Sequence, residues 1–313
     1  MADLFSVLAW SNAALADPAR EAVLLEHIDA AIASTLKTEA EGGQLVFLLP
    51  YARREAFRDP VGRSVFVDGE VAMMLAARLS VADDAALREE LRRRVHIIEA
   101  ALARSPTLSA ESYPNECWTF CNTTALAALV LSDRILGTEH GPLVTAWVDF
   151  AKASLLDAET GLLISSYTYD GEVLDGPEGS SIFMVAHNLL LLDPSFAKDQ
   201  YARASGALSQ CTLGFCTASE WPATAPARVD IDSGGIVPGL DASPGASGLA
   251  LLGAAAFGDE EIRDGLLRSM EFAAVPTRQS SAIWYRAAGR IGNAVAAYAL
   301  HFGPLWSQAS EAA

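Results

Sequence analysis

Glu111-Ser-Tyr-Pro-Asn-Glu-Cys-Trp-Thr-Phe-Cys-Asn-Thr-Thr-Ala-Leu-Ala-Ala-Leu-Val-Leu-Ser-Asp133 begins as a polar loop dense in reactive groups and runs into a segment almost without charge. Tyr113, Glu116, Cys117, Cys121 and Asn122 fall within this short span. Pro114 suits the approach to a helix, and the small apolar run after Asn122 is apolar all round, which places such a helix inside a domain. Cys117 and Cys121 are four apart, so one continuous helix would put them on one face. Reactive groups at the mouth of a buried helix can form a catalytic pocket. The competing reading is two inert core cysteines beside a packing Trp118, because free Cys is among the most buried residue types.

Outward from this stretch, two kinds of helix alternate. The amphipathic kind spans about Ala19–Lys37, Asp84–Arg104, Gly141–Leu156, Ser195–Gln210 and Asp259–Ala274. In the second of these, Leu87, Leu91, Val95, Ile98, Ala101 and Leu102 make an apolar stripe, and Arg88, Glu89, Arg92 and Arg93 lie off it. The uncharged kind spans about Leu4–Leu15, Val67–Leu79, Cys117–Ile135, Ser180–Leu192, Ala242–Phe257 and Arg286–His301. Each amphipathic helix is entered by a short turn and left by a long loop rich in Gly, Pro, Asp and aromatics. Helices joined by short turns are antiparallel, so the long loops gather at one end. The pattern predicts an all-α (α/α)6 toroid of inner and outer helices as a single domain over residues 1–313. Gln44–Phe47, Leu163–Tyr169 and Val229–Ile231 are candidates for short strands.

Composition narrows the partners. The formal charge of −17 argues against nucleic acid or an anionic membrane, both of which need basic surface. No apolar run is long enough to cross a bilayer. The opening Met1–Pro18 carries Asp3 and no Lys or Arg before its apolar part, so it reads as a helix of the fold rather than a signal peptide. The expected partner is a small-molecule substrate, with a homo-oligomer as an open alternative, and the expected compartment is the cytoplasm.

Inner helices start at the long-loop rim, where their N-termini favour anionic groups. That rim collects Asp68, Glu70, Tyr113, Glu116, Cys117, Tyr169, Asp170, Glu172, Glu178, Asp230, Asp232, Asp241, Trp284, Tyr285 and Arg286. A solvated acidic rim would look similar, but Tyr and Trp recur beside the acids, as in a pocket. His187 lies two turns inside the apolar Ser180–Leu192 helix. A lone core histidine is more often structural than catalytic, and lining a central cavity would reverse that. Asp230-Ile-Asp-Ser-Gly-Gly suggests a cation, yet no His cluster or further oxygen ligand accompanies it, so no metal is expected. Cys211 and Cys216 read either as a local disulfide or as loop thiols, without zinc spacing.

Tyr113-Pro-Asn-Glu-Cys-Trp-Thr-Phe-Cys-Asn and Val229-Asp-Ile-Asp-Ser-Gly-Gly, set in this toroid, resemble the linalool dehydratase/isomerase family from about Phe5 to Phe302. The resemblance implies an (α/α)6 barrel with a hydrophobic cavity and cofactor-free acid–base chemistry on an alkenol. The family's cysteine pair sits further apart, on loops. Similar barrels serve six-hairpin glycosidases and sugar lyases.

The first functional expectation is a cofactor-independent lyase or isomerase acting on a small, partly apolar substrate. Its catalytic candidates are Asp68, Tyr113, Cys117, Cys121, His187 and Asp232. Glu70, Glu116, Trp118, Asn122, Glu178, Asp230, Trp284, Tyr285 and Arg286 are candidates for substrate contact. The rivals are a glycosidase or sugar lyase pairing Asp68 with Asp232 or Glu178, and a non-catalytic helical binding protein.

Overall fold

The computed structural model describes residues 1–224, 235–279 and 282–310. Six inner helices run α1 (Ala2–Ala16), α3 (Val65–Val81), α5 (Thr119–Leu136), α7 (Gly179–Leu192), α9 (Pro244–Phe257) and α11 (Gly289–His301). The outer helices are α2 (Glu21–Gly42), α4 (Ala85–Arg104), α6 (Gly141–Ser154), α8 (Pro194–Leu208) and α10 (Glu260–Ala273). Each inner helix packs on the next, and α11 returns to α1, which closes the ring of an (α/α)6 barrel. The chain terms that set these boundaries are local. Asp84, Ser243 and Asp259 accept from backbone N–H groups at the starts of α4, α9 and α10, and Gly137 and Gly258 end α5 and α9 in the left-handed conformation.

Packing across the ring depends on small residues. A Cβ on Gly69 of α3 would stand 3.0 Å from the Ala125 Cβ of α5, so these two helices approach closely because both carry small side chains there. The long loops hold three small sheets. Strands β1 (Cys117–Trp118), β2 (Ser166–Tyr167) and β3 (Val173–Asp175) form one, in that order. Hairpins β4 (Ser209–Thr212) with β5 (Phe215–Ala218), and β6 (Pro276–Gln279) with β7 (Ala282–Tyr285), form the others. Cys211 and Cys216 face each other across β4 and β5 and are joined as a disulfide.

Two local expectations shift, and one element is added. Gln44–Val46 is a 3-10 turn rather than a strand, following the left-handed Gly43 that ends α2. Cys117 lies in β1, paired with Tyr167, and α5 begins only at Thr119. The two cysteines therefore do not share a helix face. After His301 the chain adds α12 (Pro304–Ser310), which packs on α1, α5 and α7 across the short-turn end of the ring. Its Leu305 N–H donates to the Asn12 side chain at 3.0 Å, so this end of the barrel is floored. Among the described residues no helix is long and apolar enough to cross a membrane. Val229–Ile231 lies outside the described residues.

Candidate active site

Successive helical residues step by about 100°, so partners on known sides reveal which side chains face the axis. On α3, Asp68 turns outward. Its carboxylate accepts from Arg94 of α4 at 2.6 Å and from Arg63 at 2.6 and 2.8 Å. Arg94 is held in turn by Glu39 and Glu90. This network lies on the floor of a cleft of about 570 Å³ between α2 and α4, outside the ring, and every charge in it has an opposite partner. Asp68 is thus a brace between inner and outer helices.

Glu70, two residues further on, points the other way. It is buried, its Oε2 meets the Met1 ammonium, and its Oε1 has no hydrogen-bond partner among the described residues. It lines a hollow of about 90 Å³ together with Met1, Asp3 and Thr35 and with the apolar Phe47, Phe66, Val67, Val71 and Met74. Burial raises the Glu70 carboxyl above the ordinary carboxylate range, and the Met1 ammonium opposes that rise. Its second oxygen, Oε1, is the polar valence that Glu70 leaves open.

On α5, Ala125 meets Gly69 of α3. Thr123 and Thr124 accept from Asn188 of α7. Asn122 is turned outward, exchanging two hydrogen bonds with the Ala110 backbone at 2.8 and 3.0 Å; it braces the loop. Cys121, one turn before Ala125, lies on the same α3-facing side of α5. Burial pushes its thiol up to about 12, opposed by a hydrogen bond with Ser112, and the nearby Glu70 charge adds to the rise. Cys117 is also buried and also raised by burial, but its Sγ lies against the Ser109 carbonyl. Ser109 is itself held by Trp147 and Tyr167, behind the ring.

At the mouth above α5, Glu116 Oε2 accepts from the Tyr51 hydroxyl at 2.9 Å and from Trp118 Nε1 at 3.3 Å. Tyr113 stacks on Tyr51 with ring centres 5.1 Å apart. Tyr51 enters from the loop before α3, and nothing in its local sequence marked it. The loop is held by Glu111, whose carboxylate accepts from the N–H groups of Arg58, Asp59 and Asn115.

Across the mouth, Glu178 is buried at the start of α7. Glu220, unmarked in the sequence reading, accepts from Ser180 and, at 2.6 Å, from Ser243. One glutamate thus ties the N-terminal ends of α7 and α9. Gly179 allows this approach, since a Cβ there would stand 2.3 Å from the Ser219 carbonyl. Trp284 and Arg286 are exposed, and Tyr285 hydrogen-bonds Glu271 of α10. Asp230 and Asp232 lie outside the described residues. No cluster of three metal-ligating side chains occurs among the described residues.

His187 sits at the floor. Asn188 donates its amide to two threonines, so its Oδ1 accepts from His187 Nδ1 at 3.0 Å. Nε2 then accepts from the Tyr298 hydroxyl at 2.9 Å. Tyr298, Phe302 and Trp306 surround the ring, and burial pushes its pKa down to about 3. It is a neutral imidazole with both nitrogens engaged.

The family model for linalool dehydratase/isomerase matches residues 90–291, more than half of the chain. The chain belongs to the linalool dehydratase/isomerase family. The matched segment contains Cys117, Cys121 and Glu116, whereas Glu70 precedes it. Solved structures agree with the barrel. The unsaturated glucuronyl hydrolase of Bacillus sp. GL1 is similar with a TM-score of 0.61 at 10% identity, over 95% of this chain and 84% of that one. A GH76 α-mannanase of Bacteroides thetaiotaomicron reaches 0.56 at 11% identity, over 99% and 87%. A D-mannose isomerase reaches 0.55 at 12%, over 97% and 86%. At these identities the likeness is one of fold. Membership of the linalool dehydratase/isomerase family marks the protein as an enzyme.

Proposed function

We propose that this family member is a lyase or isomerase that runs acid–base chemistry on a small, partly apolar alcohol at the long-loop mouth. The observation that carries the reading is the pair Glu70 and Cys121 on neighbouring helices, both buried and near enough for the Glu70 charge to act on the Cys121 thiol. Glu70 protonates the departing hydroxyl, the C–O bond breaks and water leaves. Glu116, oriented by Tyr51 and Trp118, takes the proton from the adjacent carbon. Cys121 donates a hydrogen bond to the substrate oxygen, and Tyr113 packs on the mouth. Asp232 remains a candidate on its loop. Asp68, Cys117, Asn122 and His187 act as braces in this reading. The test is alkene formation from short tertiary and allylic alcohols by wild type and Glu70→Gln. Unchanged rates in Glu70→Gln would overturn the assignment.

The Tyr51–Tyr113 stack beside Glu116 favours a second reading, a sugar substrate resting on the aromatic mouth, as the names of the similar barrels suggest. Asp68 cannot serve it, because Arg63 and Arg94 hold that carboxylate outward. Cys121→Ala separates the readings better than alkylation, since a buried thiol near 12 reacts slowly: a sugar enzyme keeps its activity in that variant. The Cys211–Cys216 bridge supports oxidising surroundings over the cytoplasmic expectation.

A further inference from the structure

We infer that Glu111 is a positioning residue of the mouth: its buried carboxylate ties the turn that carries Glu116 to the loop that delivers Tyr51, and so sets where the Glu116 carboxylate points. The role rests on the reading of Glu116 as the group that takes the proton, and Glu111 itself touches no substrate. Glu111 is 1% exposed and accepts three backbone hydrogen bonds. Oε1 receives the N–H groups of Asn115 at 2.6 Å and Arg58 at 2.9 Å, and Oε2 receives that of Asp59 at 2.7 Å. Only a carboxylate of this length accepts on both oxygens; a glutamine would turn its amide N–H groups towards one of the three donors.

The two segments joined in this way are the ones that meet at the mouth. Asn115 lies in the turn Tyr113-Pro-Asn-Glu116, which is closed by the Glu116 N–H donating to the Tyr113 carbonyl at 2.9 Å. That bond does not use the Asn115 N–H, which Glu111 takes instead. The Asn115 φ is 57°, a left-handed value that asparagine tolerates and that the bond to Glu111 helps to hold. The ends of the turn are the mouth residues themselves. Tyr113 stacks on Tyr51, and Glu116 accepts from the Tyr51 hydroxyl.

Arg58 and Asp59 follow Tyr51 on the loop before α3. Asp59 is anchored in turn by Arg104 of α4 at 2.9 Å, so the loop end of the tie is fixed to the outer wall. The bonds of Tyr51 and Trp118 to Glu116, at 2.9 and 3.3 Å, lengthen if the turn slides against the loop. A displacement of about 1 Å at a reacting group costs up to roughly 10²-fold in rate.

Glu111→Gln in the full chain tests this, read first without substrate. The Trp118 indole N–H resonance, identified by its loss in Trp118→Phe, reports the bond to Glu116. It should move upfield in Glu111→Gln as the indole loses its carboxylate partner. Turnover of short tertiary and allylic alcohols should fall roughly ten- to a hundredfold, with KM nearly unchanged. Asn115→Val strains the left-handed turn while leaving the Glu111 bonds to Arg58 and Asp59 in place; it should shift the same resonance, and it carries the test where Glu111→Gln does not fold. A resonance at its wild-type position in the folded variant overturns the inference, whatever happens to the melting temperature. A shifted resonance with wild-type turnover upholds the positioning of Glu116 and instead overturns its part in the proposed reaction.

Discussion

The mouth and the floor of the barrel both bury polar groups among apolar side chains, yet they differ in what those groups have left to offer. At the floor, both His187 nitrogens are engaged, by Asn188 and Tyr298, and three aromatic rings close around the imidazole. At the mouth, Glu70 keeps one oxygen without a partner among the described residues, directed at a hollow. A buried polar group that is fully satisfied fixes a structure. One with a spare valence facing a hollow can receive a substrate. Residue type alone would have favoured the histidine; the geometry favours the glutamate.

Substitution at the two ends breaks or sharpens that contrast. The largest effect is expected for Glu70→Gln, which keeps the shape and removes the transferable proton. Turnover of an alcohol substrate should fall roughly 10²- to 10⁴-fold, while His187→Gln should stay within an order of magnitude of wild type in initial-rate measurements. Next comes Asp68→Ala, which strips Arg94 of one buried partner. Urea unfolding should show a loss of about 3 kcal/mol, somewhat less if Glu39 and Glu90 compensate, and Asp68→Asn should lose less.

Within the mouth itself, Cys121→Ala should cost roughly tenfold in turnover, the worth of about one hydrogen bond to a reacting group. Cys117→Ala, behind the ring, should leave turnover intact and cost about 1 kcal/mol of stability. The same contrast can be probed without touching the mouth, through a pH dependence. His187 is depressed from 6.5 to about 3 in the folded chain, so between these values the unfolded chain binds the extra proton. Its contribution to stability is complete above about 6.5 and is lost as pH falls towards 3, by roughly 1 kcal/mol per pH unit. Thermal melts of His187→Gln should show a flatter acid limb. His140, raised by its hydrogen bond to Asp133, has the opposite sign: its contribution is present below 6.5 and fades as pH rises through its folded value.

The barrel was legible because helix burial leaves a compositional trace. Uncharged segments such as Val67–Leu79 and striped ones such as Asp84–Arg104 announce inner and outer positions through periodicity, and loop lengths sort the two ends. The site was legible only in part. The Tyr113–Asn122 stretch showed where reactive groups gather, but the two-residue strand ahead of α5 rotated Cys117 away from Cys121, and such a strand leaves no periodic signal. Asp68 and Glu70 are equivalent in a rim inventory; only the arginine on α4 shows which one faces outward. Tyr51 and Glu220 reach the mouth through contacts with distant elements, Glu116 in one case and serines of α7 and α9 in the other, and no local pattern encodes those meetings.

Whether the mouth holds a proton can be measured without knowing the substrate. Infrared spectroscopy of the carboxylic-acid C=O stretch, recorded as a wild type minus Glu70→Gln difference across pH, isolates this one group. The account predicts a band assigned to Glu70 whose titration midpoint lies above the ordinary 4.5 of a glutamate. A midpoint at or below that value would mean that Glu70 is an ordinary carboxylate, and the proton donor at the heart of the proposed chemistry would have to be sought elsewhere.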